Sequence, residues 1–169
     1  ASSTRPWGAA LRVLGERVAL ESAARIDASG LTGGGQILVG GDYQGKNPDV
    51  QNARRVFVGD GASLTADASG KGDGGRIIVW ADENTRYFGS LAARGGPQGG
   101  NGGFAEVSGK QNLQFAGKAD LSATAGAMGF LLLDPLDIIV SSSGGILPIV
   151  TDQFADFQTN ILTISDTGM

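Results

Sequence analysis

The stretch GGGQILVGGD (Gly33–Asp42) returns forty residues later as DGGRIIVWAD (Asp73–Asp82). Two glycines, a polar residue, an aliphatic run and an aspartate recur at the same offsets. Repetition with a period of about 20–50 residues marks solenoids, propellers and arrays, so the extent of the repeat decides the fold. Reading outward from the double glycine gives four copies: VALESAARIDASGLTGGGQILVGGD, VFVGDGASLTADASGKGDGGRIIVWAD, RYFGSLAARGGPQGGNGGFAEVSGK and LQFAGKADLSATAGAMGFLLLD.

Each copy contains three short apolar pieces in the same order. The first piece ends on Leu20, Val58, Phe88 and Phe115 in turn. The second is a hydrophobe, any residue, then alanine: Ile26/Ala28, Leu64/Ala66, Leu91/Ala93 and Leu121/Ala123. The third follows glycine: Ile37/Val39, Ile77/Val79, Ala105/Val107 and Leu131/Leu133. The apolar positions alternate with period two, as half-buried strands require. Three strands per copy make three flat sides of a coil. One coil cannot bury its apolar side chains alone, but coils stacked about 4.8 Å apart pair each strand with its equivalent and continue one core. The repeat therefore predicts an all-β fold: a parallel β-helix (solenoid) with three strands per coil, right-handed by the usual chirality of parallel crossovers. A β-propeller would need blades of four antiparallel strands, and a β-sandwich has no need of one motif at four places.

Glycine supports this reading. There are 29 glycines in 169 residues, well above the usual level of about 7%, and they lack the Gly-X-Y period of collagen. Short aliphatic runs between them read as strands joined by tight turns. The coils are expected over residues 1–140, with a loop insertion at about 43–55 (YQGKNPDVQNARR) pointing away from the core, and with residues 141–169 continuing or capping the stack. LRV (Leu11–Val13) reads as a strand awaiting a coil before it; DIIV, ILPIV and ILTIS read as further strands. Neither end carries a recognisable polar cap, so the expectation is a cut from a longer shaft, or end-to-end contact with another β-helical chain.

Composition narrows the chemistry. The net charge is −4, and the one Arg-Arg pair, in NARRV, is no nucleic-acid footprint. Absent cysteine excludes disulfides and thiol chemistry and suits export through an oxidising compartment. Absent histidine removes the commonest general base and zinc ligand. No apolar run reaches the roughly 20 residues of a membrane helix; FLLLDPLDIIV is interrupted by Asp134, Pro135 and Asp137.

Several motifs in fixed order, ARIDASG, GGGQILVGGDYQGKN, NARRVFV, DGGRIIVWADENTRYFGSLAARGG, GGNGGFAEVSGKQNLQFAGKADLSA and GFLLLDPLDIIV, resemble the filamentous-haemagglutinin-like exoproteins of two-partner secretion. The resemblance covers roughly residues 11–140. It implies a right-handed β-helical shaft, export through a dedicated outer-membrane β-barrel transporter, and a secreted or cell-surface location on a Gram-negative-type bacterium. It also implies adhesion to a host or cell surface, including glycans. Neither the family's amino-terminal secretion domain nor a toxin-like module is represented, so the expected role is that of a structural shaft segment supporting adhesion.

β-Helices also carry polysaccharide lyases and hydrolases, which keeps a carbohydrate-active enzyme as the alternative, beside a self-assembling filament subunit. Alignment on the second glycine puts Asp42, Asp82 and Lys110 at one offset, where they would form a short ladder: either a metal- or sugar-binding groove or solvated corner charges. Asp42 and Asp82 are the candidate metal ligands; with only oxygen donors on offer, calcium would be the ion. Asp27, Asp67, Asp73 and Asp120 do not share one offset. GLTGGG and GGPQGGNGG lack the lysine and helix of a phosphate loop. Tyr43, Trp80 and Tyr87 could stack on sugars, but Trp80 falls at a strand end, where the favoured role is to cap a coil edge. The overall expectation is a protein without catalytic residues or cofactor.

Overall fold

The computed structural model describes residues 6–134, together with the backbone of two later strands at 138–141 and 162–165. The chain forms a β-solenoid of about four turns of parallel strands. The first turn begins with β1 (Ala10–Val13), β2 (Arg17–Leu20) and β3 (Arg25–Asp27). The second has β4 (Gln36–Val39), β5 (Ala53–Val58) and β6 (Ser63–Thr65). In the third, the first two strands merge into β7 (Arg76–Tyr87), followed by β8 (Ser90–Ala92). Then come β9 (Phe104–Gly109), β10 (Asn112–Phe115) and β11 (Lys118–Asp120), and β12 (Phe130–Leu133) opens the next turn. Two last strands, β13 (Ile138–Ser141) and β14 (Leu162–Ser165), pair with each other in parallel. Among the described residues, no helix is long and apolar enough to cross a membrane.

These strands build three parallel ladders. The first runs β1–β4–β7–β9–β12, the second β2–β5–β7–β10 through the later half of β7, and the third β3–β6–β8–β11. The long β7 joins the first two ladders into one eight-stranded sheet. Like stacks on like in the interior of the first ladder. Ile37, Ile77 and Ala105 form one buried column that continues to Leu131, and Val39, Val79 and Val107 form another that continues to Leu133. Leu11 and Val13 extend both columns by one rung.

Two alignments made from the sequence are corrected by the register. In the second ladder the column is Leu20–Val58–Tyr87–Phe115, so Tyr87 and not Phe88 faces inward. Tyr87 is fully buried and its ring stacks on Phe115 at 5.4 Å, whereas Phe88 meets Phe57 and the Arg86 guanidinium. The following turn keeps the same spacing, Val107 to Phe115 matching Val79 to Tyr87, so the adjacent aromatic Phe88 falls one residue past the inward position. In the third ladder the column is Ile26–Leu64–Leu91–Ala119. Leu121, not Ala123, therefore follows Ala28, Ala66 and Ala93, as the Ala28→Thr65, Ala66→Ala92 and Ala93→Asp120 backbone hydrogen bonds require. The sequence template slid by two residues, a shift that period-two patterning cannot detect.

The glycine corners act through close approach. A Cβ on Gly75 would lie 2.1 Å from the Gly35 carbonyl oxygen of the neighbouring rung. Only glycine lets the coil turn there while the rungs stay in hydrogen-bonding contact.

The insertion also departs from expectation. Strand β5 begins at Ala53, so the loop is shorter at its far end than 43–55. It does not point away from the molecule. It makes a 3₁₀ turn at Tyr43–Gly45 and folds back as a strap over the outer face of the first ladder, where Val50 packs with Leu38, Ile78 and Trp80. Residues 142–161 and 166–169 lie outside the described residues, as does ILPIV within them, so among the described residues the expected continuation of the coils is represented by the β13–β14 pair.

Candidate functional site

The strap and the corner after β9 enclose a polar groove of about 1010 Å³. One wall is the strap, through Gln44, Lys46 and Asn52; the other carries Lys110 and Asp134, and Asp82 stands on the floor beside Trp80. The Trp80 indole is almost completely buried, and its N–H donates to Asp82 Oδ1 at 3.0 Å. The same oxygen accepts from Asn52 Nδ2 at 3.1 Å. Asn52 also donates to the Gly45 carbonyl at 2.9 Å, which ties the end of the strap to its turn.

The expected ladder of Asp42, Asp82 and Lys110 is not formed. Asp82 and Lys110 share the groove, but Asp42 is absent from its lining. After Val39 the chain leaves the ladder, and Ala53, not Gly41, takes the position beside Ala81. Asp42 instead caps the 3₁₀ turn. Its carboxylate accepts from the Tyr43 amide and from Asn47 Nδ2, each at 2.7 Å. Burial alone would raise its pKa, but these two hydrogen bonds, helped by Arg76 and Arg12, bring it below the ordinary aspartate value. The two candidate metal ligands thus have different tasks in different places. Among the described residues, no three acidic side chains gather to hold an ion.

Glu83, Asp67, Asp73, Asp27 and Asp120 are committed locally. Glu83 pairs with Arg54 at 2.6 Å and with Arg55 at 3.2 Å, and Arg54 also reaches Glu16. Asp67 holds the Arg94 guanidinium at 2.6 Å and its backbone amide at 2.7 Å. Asp73 accepts the Asn101 amide of the next turn. Asp27 and Asp120 do share a column, at opposite ends of the third ladder, and each accepts the amide two residues on. Such side-chain acceptors stabilise turns.

Of the aromatic candidates, Tyr87 is sealed in the interior and Trp80 serves as the strap's seat. Tyr43 remains partly exposed, packed edge-on against Phe104 and capped by the Arg76 guanidinium at 5.0 Å. The residue that sequence reasoning missed is Glu106. It sits on the outward column Leu38–Ile78–Glu106–Leu132, fully buried beneath the strap. The period-two pattern marks it as outward and hence solvated; no local signal shows that a loop from two rungs away covers it. No family model matches the chain, and no curated protein matches it.

Proposed function

We propose that this chain is a structural shaft segment of a secreted bacterial surface exoprotein of the filamentous-haemagglutinin-like kind, and that it supports adhesion. The observation that carries the reading is the division of labour between faces. Apolar columns run unbroken from turn to turn, while Asp42, Asp67, Glu83 and Asp120 on the outside are spent on turns, caps and ion pairs between rungs. That is the economy of a scaffold, which needs uniform rungs more than a converging catalytic cluster. The ordered motifs of the sequence favour the same family. On this reading an outer-membrane β-barrel transporter exports the chain, host or cell-surface glycans are the adhesive partners, and the segment has no catalysis of its own.

The test uses the purified chain on an array of host glycans and on intact cells, with a parallel assay for new reducing ends on acidic and neutral polysaccharides. Retention on a glycan or cell surface without turnover is the expected result. Turnover that Asp82→Asn abolishes would replace this reading with the carbohydrate-active enzyme.

A further inference from the structure

The strap closes over a carboxylate that has no ion-pair partner among the described residues. Glu106 has no exposed surface, and its column neighbours Leu38 and Ile78 have none either. The Gln44 backbone N–H donates to the two carboxylate oxygens at 3.1 and 3.3 Å, and Ser108 Oγ donates to one of them at 2.9 Å. Among the described residues no lysine or arginine forms a salt bridge with it. The turn that supplies the Gln44 N–H is itself held in an unusual shape: Gln44 has φ 55°, and Gly45 follows at φ 61°.

The charged groups around this carboxylate come from every neighbouring element. Strand β7 contributes Arg76, whose guanidinium lies over the Tyr43 and Phe104 rings, and Asp134 follows β12. The strap brings Asp42, engaged with Asn47 and the Tyr43 amide, and Lys46, bonded to Gln44 Oε1. Strand β1 brings Arg12, whose charge acts on Asp42.

We propose that the strap is a proton-operated latch, held closed over the first ladder by protonated Glu106 and loosened when Glu106 ionises. The direction follows from linkage. Burial first, and the Asp134 charge as well, push the Glu106 acid above its ordinary value; the hydrogen bonds from Gln44 and Ser108 and the charge of Arg76 oppose this without overcoming it. With the strap lifted, the carboxyl meets water and returns to its ordinary value. The closed strap therefore binds the proton more tightly than the open one, and acid closes what alkali opens. The neutral acid keeps a carbonyl oxygen that can accept the Gln44 N–H. Because Gln44, Lys46 and Asn52 form one wall of the groove, opening the strap widens the groove and uncovers Trp80.

The experiment is native-state hydrogen exchange of the full chain at about pH 5 and about pH 8, with each amide corrected for its intrinsic rate. The Gln44 and Gly45 amides report the strap, and those of Ile77 and Val79 report the core. The expected result is a strap protection about threefold to tenfold lower at the higher pH, with the core unchanged. Glu106→Gln should remove the pH dependence, and Asp134→Asn should reduce it. If the glutamine variant does not fold, Glu106→Leu, which matches the apolar column, takes its place. Acrylamide quenching of Trp80 in a Trp7→Phe background gives a second reading and should rise with pH. Equal strap protection at both pH values, protection that increases with pH, or a pH dependence that survives loss of the carboxyl would overturn the proposal.

Discussion

Truncating Leu64 to alanine tests the stacked interior most directly. Leu64 is 1% exposed and lies between Ile26 and Leu91 on adjacent rungs of the third ladder. Leu64→Ala removes three carbon groups from the core, worth about 2.4 kcal/mol at ~0.8 kcal/mol each. The rungs on either side are fixed by backbone pairing, so the hole cannot close. A residual cavity of about 50 Å³ adds ~1.2 kcal/mol at ~24 cal/mol per Å³. The expected loss is therefore about 3–4 kcal/mol, near the middle of the range for such changes. Ile26 occupies the same column on the first described rung and is only partly buried. Ile26→Ala should cost about half as much, because part of its side chain already meets water. Lys71→Ala, in an exposed corner, should stay within ~0.5 kcal/mol. Urea unfolding followed by far-ultraviolet circular dichroism and by tryptophan emission measures all three, provided the slope with denaturant stays constant. A cost for Leu64→Ala below ~1 kcal/mol, or an Ile26→Ala cost that equals or exceeds it, would refute the column assignment.

Gly75→Ala should destabilise by about 1–3 kcal/mol, since its Cβ would collide with the backbone of the next rung; a melting temperature equal to the parent's would contradict the close-approach account. Tyr87→Phe should leave stability unchanged or raise it by up to ~1 kcal/mol, because its buried hydroxyl has no hydrogen-bond partner among the described residues; a loss above ~1 kcal/mol in the same unfolding assay would show that the hydroxyl is satisfied. On the acid side, Arg54 and then Arg55 hold the Glu83 pKa low, and hydrogen bonds from Ser122 together with Arg94 hold Asp120 low. A folded-state pKa below the unfolded one gives stability that is present above the ordinary carboxylate value of about 4 and is lost as pH falls through the folded value. The melting temperature should therefore decline below about pH 4, and less steeply in a Glu83→Gln/Asp120→Asn double variant; equal slopes for parent and variant would exclude these two groups as the cause.

The coil and its interior were legible in the sequence because each rung repeats the last. Alternation along a strand is a local property, so Ile37, Ile77 and Ala105, like Val39, Val79 and Val107, could be assigned to shared inward columns without knowledge of the fold. Register beyond that depended on the tertiary structure. Whether Tyr87 or Phe88 faces inward is set by the pairing of β7 with β5 and β10, and whether Ala119 or Leu121 follows Leu91 is set by which carbonyl the next rung's amide reaches. The groove was the least legible part. Asp42 and Asp82 share an offset in the sequence, but Ala53 enters the ladder beside Ala81 and separates their surroundings. Glu106 reads as a solvated outward residue until the Gln44 amide, 62 positions earlier, is folded down upon it. Periodicity records which side of a strand a residue occupies; only the docked strap decides whether that side meets water.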